Sequence, residues 1–191
     1  MFRVWTLLVF FLFTGSAAAG ALDDGLAAYQ AGNYQQAFEL WKPLAEAGDA
    51  DAEYNIGLLY MNGLGVEKNS RFARQLFMAA AKQGQADAQY NLGLMYYQGN
   101  TVFRSNKDAF NWWSKAAAQN HAPAQYNLGI MYAYGIWAGK DVNKALELWK
   151  ASADQGNRDA MEALIRAYGK GELGVDKDPG KATYWKKKLG Q

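Results

Sequence analysis

The chain has 191 residues, half of them hydrophobic, with 20 Lys+Arg against 18 Asp+Glu and a formal net charge of +2. That length allows one domain or two small ones, and the hydrophobic share supports a packed core. Cysteine is absent and His121 is the one histidine, which excludes disulfides, thiolate metal sites, cysteine nucleophiles and a single-chain zinc site with two His ligands.

So small a net charge offers nucleic acid no strongly basic face, and no nucleic-acid partner is expected. Alanine supplies 33 residues, whereas Val, Ile and Thr together supply 14. That balance favours helix over strand.

The opening residues carry one positive charge, Arg3, then an apolar run from Val4 to Phe13, then Gly15, Ser16, Ala17, Ala18, Ala19, Gly20 and Ala21. A charged start, a short apolar stretch and small residues form the pattern of a secretory signal peptide. The run is too short for a comfortable transmembrane span of about 20 residues. Residues 1–21 are therefore expected to be a signal peptide, cleaved after Ala19 or Ala21. The mature chain is expected in a bacterial periplasm or secreted, without stable membrane insertion.

The rest of the chain repeats. Residues 50–63 read ADAEYNIGLLYMNG, residues 86–99 ADAQYNLGLMYYQG, and residues 122–135 APAQYNLGIMYAYG. The offset is 36 residues each time, with 9 of 14 and then 10 of 14 residues shared. A fourth block at 158–171, RDAMEALIRAYGKG, keeps 4 of 14 against the third. Terminal repeats are expected to be atypical because one face meets solvent.

Each block reads as the first helix of a pair. Ala52, Ile56 and Tyr60 share a helical face, Gly57 beside them permits close approach of a neighbour, and Gly63 stops the helix. The second helices are anchored by Ala73, Ala109, Ala145 and Ala182, the last arriving one residue late, so its loop carries an insertion. Large residues follow (Phe77, Trp112, Trp113, Trp149, Trp185), then small pairs (Ala80–Ala81, Ala116–Ala117, Ser152–Ala153), an alternation that interlocking helices require. Ser70 and Asp178 are the expected N-caps of two of these helices. Residues 22–48 form a shorter pair with Ala37 and Trp41 at the second-helix spacing. Five pairs result, at about 22–48, 50–85, 86–121, 122–157 and 158–191. The expected fold is all-α: residues 22–191 as one right-handed α-solenoid of antiparallel helix pairs.

The pattern AxAQYNLGxMYxxG, a Gly-bearing loop and KAxxxWxxAA closely resembles the Sel1-like repeat, a longer-looped relative of the tetratricopeptide repeat. Leu64-Gly65-Val66 keep that family's loop motif. Asn100-Thr101-Val102 and Ile136-Trp137-Ala138 depart from it by losing the second glycine.

The residues offer no catalytic constellation. Walker and G-x-S-x-G motifs are absent. A G-x-G-x-x-G string spans Gly169 to Gly174, but it follows a helix, where the dinucleotide motif needs strand-turn-helix geometry. The S-x-x-K pattern of serine β-lactam enzymes fails: Ser70, Ser105, Ser114 and Ser152 are followed at the third residue by Ala73, Asp108, Ala117 and Gln155. His121 reads as a solvated junction residue, and Lys186-Lys187-Lys188 as a solvated helix end that complements the dipole. No cofactor and no metal are expected.

A stack of helix pairs lines a curved surface with its first helices, and such surfaces bind peptides or folded partners. The resemblance assigns to the concave side Leu58, Leu94, Ile130 and Arg166; Met61 and Tyr97; Tyr134 and Lys170; and Tyr90 and Tyr126. These form an apolar and aromatic stripe that turns charged at one end. Trp137, in a loop, either folds back over the helices or forms an exposed contact. The main expectation is a non-enzymatic adaptor that binds a protein partner of the cell envelope. The alternatives are a cell-wall or β-lactam-directed hydrolase and a glycan-binding protein.

Overall fold

The structure is a computed structural model that describes residues 14–99 and 101–190. The expected signal features Arg3 and Val4 to Phe13, and the loop residue Asn100, lie outside the described residues. Among those described, the helices are α1 (Thr14–Gln30), α2 (Tyr34–Glu46), α3 (Ala50–Asn62), α4 (Ser70–Lys82), α5 (Ala86–Gln98), α6 (Asn106–Ala118), α7 (Ala122–Tyr134), α8 (Val142–Asp154), α9 (Arg158–Lys170) and α10 (Pro179–Leu189). One 3-10 turn, Glu172–Gly174, precedes α10, and no strand occurs among the described residues. Contacts divide the chain into two compact units, one up to Gln83 with α1 to α4, the other from Gly84 with α5 to α10. The helix α1 begins at Thr14, ahead of Leu22, so both candidate cleavage points fall inside it.

The helix starts obey the repeat. Asp49, Gln85, His121 and Asn157 precede α3, α5, α7 and α9, and their side chains accept from the backbone N–H of Ala52, Ala88, Ala124 and Ala160 at 2.8, 2.6, 3.1 and 2.9 Å. Four different side chains thus serve one purpose, satisfying an orphan donor of the first turn, worth about 0.5–2 kcal/mol each. The second helices α4, α6, α8 and α10 are capped by Asn69, Ser105, Asp141 and Asp178. Asn69, not Ser70, caps α4: its non-helical backbone aims Oδ1 at the Phe72 N–H, 3.0 Å away, while Ser70 is already helical. The later arrival of Asp178 confirms the one-residue insertion in the last loop.

His121 is not a solvated junction residue. Its side chain is 13% exposed. Nδ1 accepts the Ala124 N–H, which leaves the ring proton on Nε2, donated to Asp87 Oδ1 at 3.1 Å. The ring also lies 4.8 Å from that of Tyr90. The bond from His121 holds the Asp87 carboxyl below its ordinary value.

Within each of the first four pairs an aromatic ring lies on a glycine. A Cβ on Gly57 would stand 2.6 Å from Phe77, and one on Gly129 2.5 Å from Trp149; Gly25 and Gly93 are covered in the same way by Trp41 and Trp113. The glycine lets the indole settle against helical backbone, and its N–H then reaches a carbonyl: Trp41 donates to Leu22 O at 3.1 Å, Trp113 to Tyr90 O at 3.2 Å and Trp149 to Tyr126 O at 3.1 Å. Each buried indole nitrogen is thereby satisfied. Trp41, Phe77, Trp113 and Trp149 are at most 4% exposed. In the last pair Ile165 replaces the glycine, and Trp185 packs in a core cluster with Ala163, Leu164 and Ala182.

A polar ladder accompanies this core. Gln83 donates to Glu53 at 2.9 Å in the first unit, and Gln119 to Gln89 at 2.9 Å and Gln155 to Gln125 at 2.8 Å in the second. The acceptors Glu53, Gln89 and Gln125 are all buried.

The loops keep one backbone shape through changes of sequence. Gly63, Gly99, Gly135 and Gly171 end the first helices in the left-handed region. Two residues on, Gly65, Thr101, Trp137 and Leu173 are left-handed again, with φ of 67, 66, 71 and 63°. The loops that lack the second glycine therefore retain its conformation, at roughly 1–2 kcal/mol for each side chain forced there. Their far ends are tied down: the N–H groups of Asn69, Ser105, Asp141 and Asp178 donate to the carbonyls of Tyr60, Tyr96, Tyr132 and Tyr168 at 2.8–2.9 Å.

Two predictions follow from this packing. Gly93→Val drives a branched side chain into Trp113, whereas at Gly139 nothing lies within 4 Å of an added Cβ. Urea unfolding of Gly93→Val is expected to show a loss of about 1–3 kcal/mol or more, and Gly139→Val little change. Equal stabilities would contradict the interlock.

Glu53 provides a pH test. Burial raises its carboxyl above the ordinary 4.5, against the opposing bond from Gln83. For a raised acid, the fold is penalised above the folded pKa and relieved below 4.5. Glu53→Gln copies Gln89 and Gln125 and keeps an acceptor for Gln83. It is expected to gain about 1 kcal/mol or less at neutral pH, the gain vanishing below pH 4.5. A gain that ignores pH would show that the carboxylate charge is not its source.

Candidate docking recess

The sequence-predicted stripe falls in both units. In the first, Leu58 and Met61 lie half-buried on α3. In the second, Tyr90, Leu94 and Tyr97 on α5 are half-buried against the cluster around Trp113, Leu128 and Met131. Tyr126 and Ile130 on α7 pack against the cluster around Trp149 and Leu164. The stripe is thus neither free surface nor full core. Tyr90, Leu94, Tyr97, Tyr126 and Ile130 each give one edge to packing and leave another outside. Burial raises the phenols of Tyr90 and Tyr126 above their ordinary 10, so both are neutral hydroxyls.

Four of these residues converge. Tyr126, Ile130 and Tyr134 from α7 meet Arg166 from α9 around a recess of about 70 Å³, with Trp149, Ala163, Ala167, Glu172 and Leu173 completing the wall. Tyr134 is 64% exposed at its lip. Arg166 is held between Glu162 at 3.9 Å and Glu172 at 3.5 Å. With both groups about half exposed, these pairs orient the guanidinium more than they stabilise the fold. Lys170 is exposed at the end of α9 and does not line the recess.

Glu172 and Leu173 escaped the sequence reading. They sit in the loop that carries the insertion, and that loop folds its 3-10 turn onto the recess. The one available signal was the altered loop length.

Trp137 is 57% exposed and does not fold back over the helices. Lys107 Nζ stands 5.8 Å from its ring centroid, so Trp137 meets the start of α6, and it does not line the recess.

The arrangement presents apolar, aromatic and ionic contacts, and two of the serines have structural uses. Ser105 caps α6 and donates to Asp108 at 2.5 Å. Ser152 is fully buried and donates to Ala122 O at 2.6 Å. Gly169 to Gly174 runs from the end of α9 through the 3-10 turn. Among the described residues no group of three His, Asp or Glu side chains is placed to hold a metal ion, and no helix is long and apolar enough to cross a membrane.

Solved structures share this architecture. A Sel1 repeat protein from Oxalobacter formigenes is 36% identical, with a TM-score of 0.77, over 86% of this chain and 67% of that one. The protein c5321, a protective antigen of uropathogenic Escherichia coli strains that displays an SLR fold, is 32% identical with a TM-score of 0.79; it matches 91% of this chain, which spans 38% of its length. A sel1 repeat protein from Klebsiella pneumoniae subsp. pneumoniae is 25% identical with a TM-score of 0.55, over 90% of this chain and 87% of that one. No protein with a curated description matches. The Sel1 repeat pattern matches residues 19–49, 50–85, 86–121, 122–157 and 160–188, which coincide with the five helix pairs. On its repeats, its all-α helix pairs and these relatives, the chain belongs to the Sel1 repeat family.

Proposed function

We propose that this protein is an exported, non-enzymatic adaptor of the bacterial envelope that grips a partner protein at the recess between α7 and α9. Sel1 repeat proteins generally mediate protein–protein interactions. The observation that carries the reading here is the convergence of Tyr126, Ile130, Tyr134 and Arg166 on one recess. Its volume, about 70 Å³, falls well short of the roughly 300–1,000 Å³ of a small-molecule site. It suits a single apolar side chain of a partner, with Tyr134 and Arg166 as the aromatic and guanidinium contacts that dominate interfaces. Lys170 on the same helix supplies charge to the rim. Leu58 and Met61 on α3, and Tyr90, Leu94 and Tyr97 on α5, extend the apolar contact on their own units. The alternative of a wall-directed or β-lactam hydrolase draws no support from the serines, two of which serve as a cap and a buried core donor.

Export rests on the sequence of residues 1–21. N-terminal sequencing of protein from the periplasm is expected to begin at Gly20 or Leu22, and an intact Met1 would contradict cleavage.

Tyr134→Ala and Arg166→Gln test the recess. Both side chains are largely or partly exposed, so stability is expected to change by no more than about 0.5 kcal/mol. Pull-down from a periplasmic extract is expected to lose its partner with either variant. Capture that survives both would place the interface elsewhere. Leu94→Glu is a poorer probe, because Leu94 packs against the core and its loss confounds folding with binding.

A further inference from the structure

We infer that the edge of the second unit formed by Phe103, Lys107, Trp137 and Lys140 is a second binding site, which stacks the sugar rings of an acidic polysaccharide. The first observation is strain without repayment. Trp137 occupies a left-handed backbone position, φ 71°, where the equivalent loop of the first unit has Gly65 at φ 67°. Leu173, in the same strained position of the last loop, packs against the core around Trp149 and Leu164. Trp137 instead leaves 57% of its surface exposed. The turn belongs to the fold, but its side chain does not: glycine stands there at 65 and an exposed threonine at 101, so a large exposed indole at 137 answers to a use outside the fold.

The second observation is what surrounds the ring. Lys107 Nζ lies 5.8 Å from the indole centroid, within the range of a cation–π contact. Four residues before Lys107, Phe103 is 99% exposed. Two residues after Trp137, Gly139 opens onto empty space, and Lys140, next in the chain, is exposed. Aromatic and cationic residues thus alternate along two successive stretches of the chain, which the Lys107–Trp137 contact joins. The nearby carboxylates face their own helices: Asp108 accepts from Ser105 at 2.5 Å, and Asp141 from the Lys144 N–H at 2.9 Å.

This chemistry selects among occupants. A protein hot spot needs an apolar ring that excludes water around its anchor; here Ile136 turns into the core, Phe103 is itself 99% exposed, and the other neighbours are glycine, a half-buried alanine and lysines. A bilayer would have to take up Lys107 along with the indole it covers. A pyranose needs one rigid aromatic face for its C–H groups and polar donors at its rim. The lysines then favour a sugar that carries a carboxylate, and the open space at Gly139 lets a linear polymer pass. The site is distinct from the recess between α7 and α9 and does not rest on it.

The test uses the full chain with polygalacturonate and hyaluronate as acidic polymers, dextran as the neutral control and anionic phospholipid vesicles as the membrane control. The wild type is expected to bind at least one acidic polymer, with protection of an exposed tryptophan from acrylamide quenching, and to ignore dextran and vesicles. Trp137→Asn, which suits a left-handed position, is expected to weaken binding roughly fivefold to tenfold while its melting temperature stays level or rises. Lys107→Gln is expected to weaken binding and to flatten its salt dependence. Failure to bind both acidic polymers, equal binding of dextran, vesicle binding in their place, or a Trp137→Asn variant that binds as tightly as the wild type would each overturn the assignment. A lower melting temperature of Trp137→Asn would overturn it too, by showing that the ring holds the fold.

Discussion

The aromatic ring seated on a helical glycine is the contact on which the rest depends. Where Trp113 lies over Gly93, or Trp149 over Gly129, the missing side chain lets one helix approach another closely enough for the indole to touch backbone. That approach brings the indole N–H to a helical carbonyl, so a large apolar surface is buried without stranding its one polar group. Packing and hydrogen bonding are then met by the same geometry. Phe77 over Gly57 does the first without the second. That difference shows close approach to be the primary requirement and the N–H bond to be a consequence of it.

Once the pairs are set at this distance, the connections have little freedom. The N-cap residue of each second helix of the four longer pairs donates its N–H to a tyrosine carbonyl of the first, and the left-handed turn between them must occur whatever residue stands there. Thr101, Trp137 and Leu173 adopt a backbone that glycine would take at no cost. Leu173 packs in part against the core, whereas Thr101 and Trp137 stay exposed.

The polar residues follow the same economy. Gln83, Gln119 and Gln155 each reach back to a buried acceptor on the first helix of the same pair. His121 caps α7 with one nitrogen and serves Asp87 with the other. Ser105 likewise caps α6, and Ser152 satisfies the Ala122 carbonyl from a buried position.

The sequence by itself determined the register. A 36-residue period with glycine and aromatic residues at fixed places dictates helix pairs, because only that spacing puts Gly93 opposite Trp113, and the five pairs were legible to within a few residues. Asp178 as a cap and the inserted residue before it were legible for the same reason, being local. Ser70 in place of Asn69 was a local misreading of two adjacent capping types, which only the backbone angle distinguishes. What tertiary structure decided was everything that depends on neighbours distant in sequence. His121 looked solvated until Asp87 and Tyr90 were placed beside it. The half-buried state of Leu94 and Ile130 depends on rings from other helices. The recess needed Glu172 and Leu173, brought to α7 by a loop that the repeat pattern does not describe. Periodicity reports which face of a helix is apolar, whereas exposure depends on what the other helices leave uncovered.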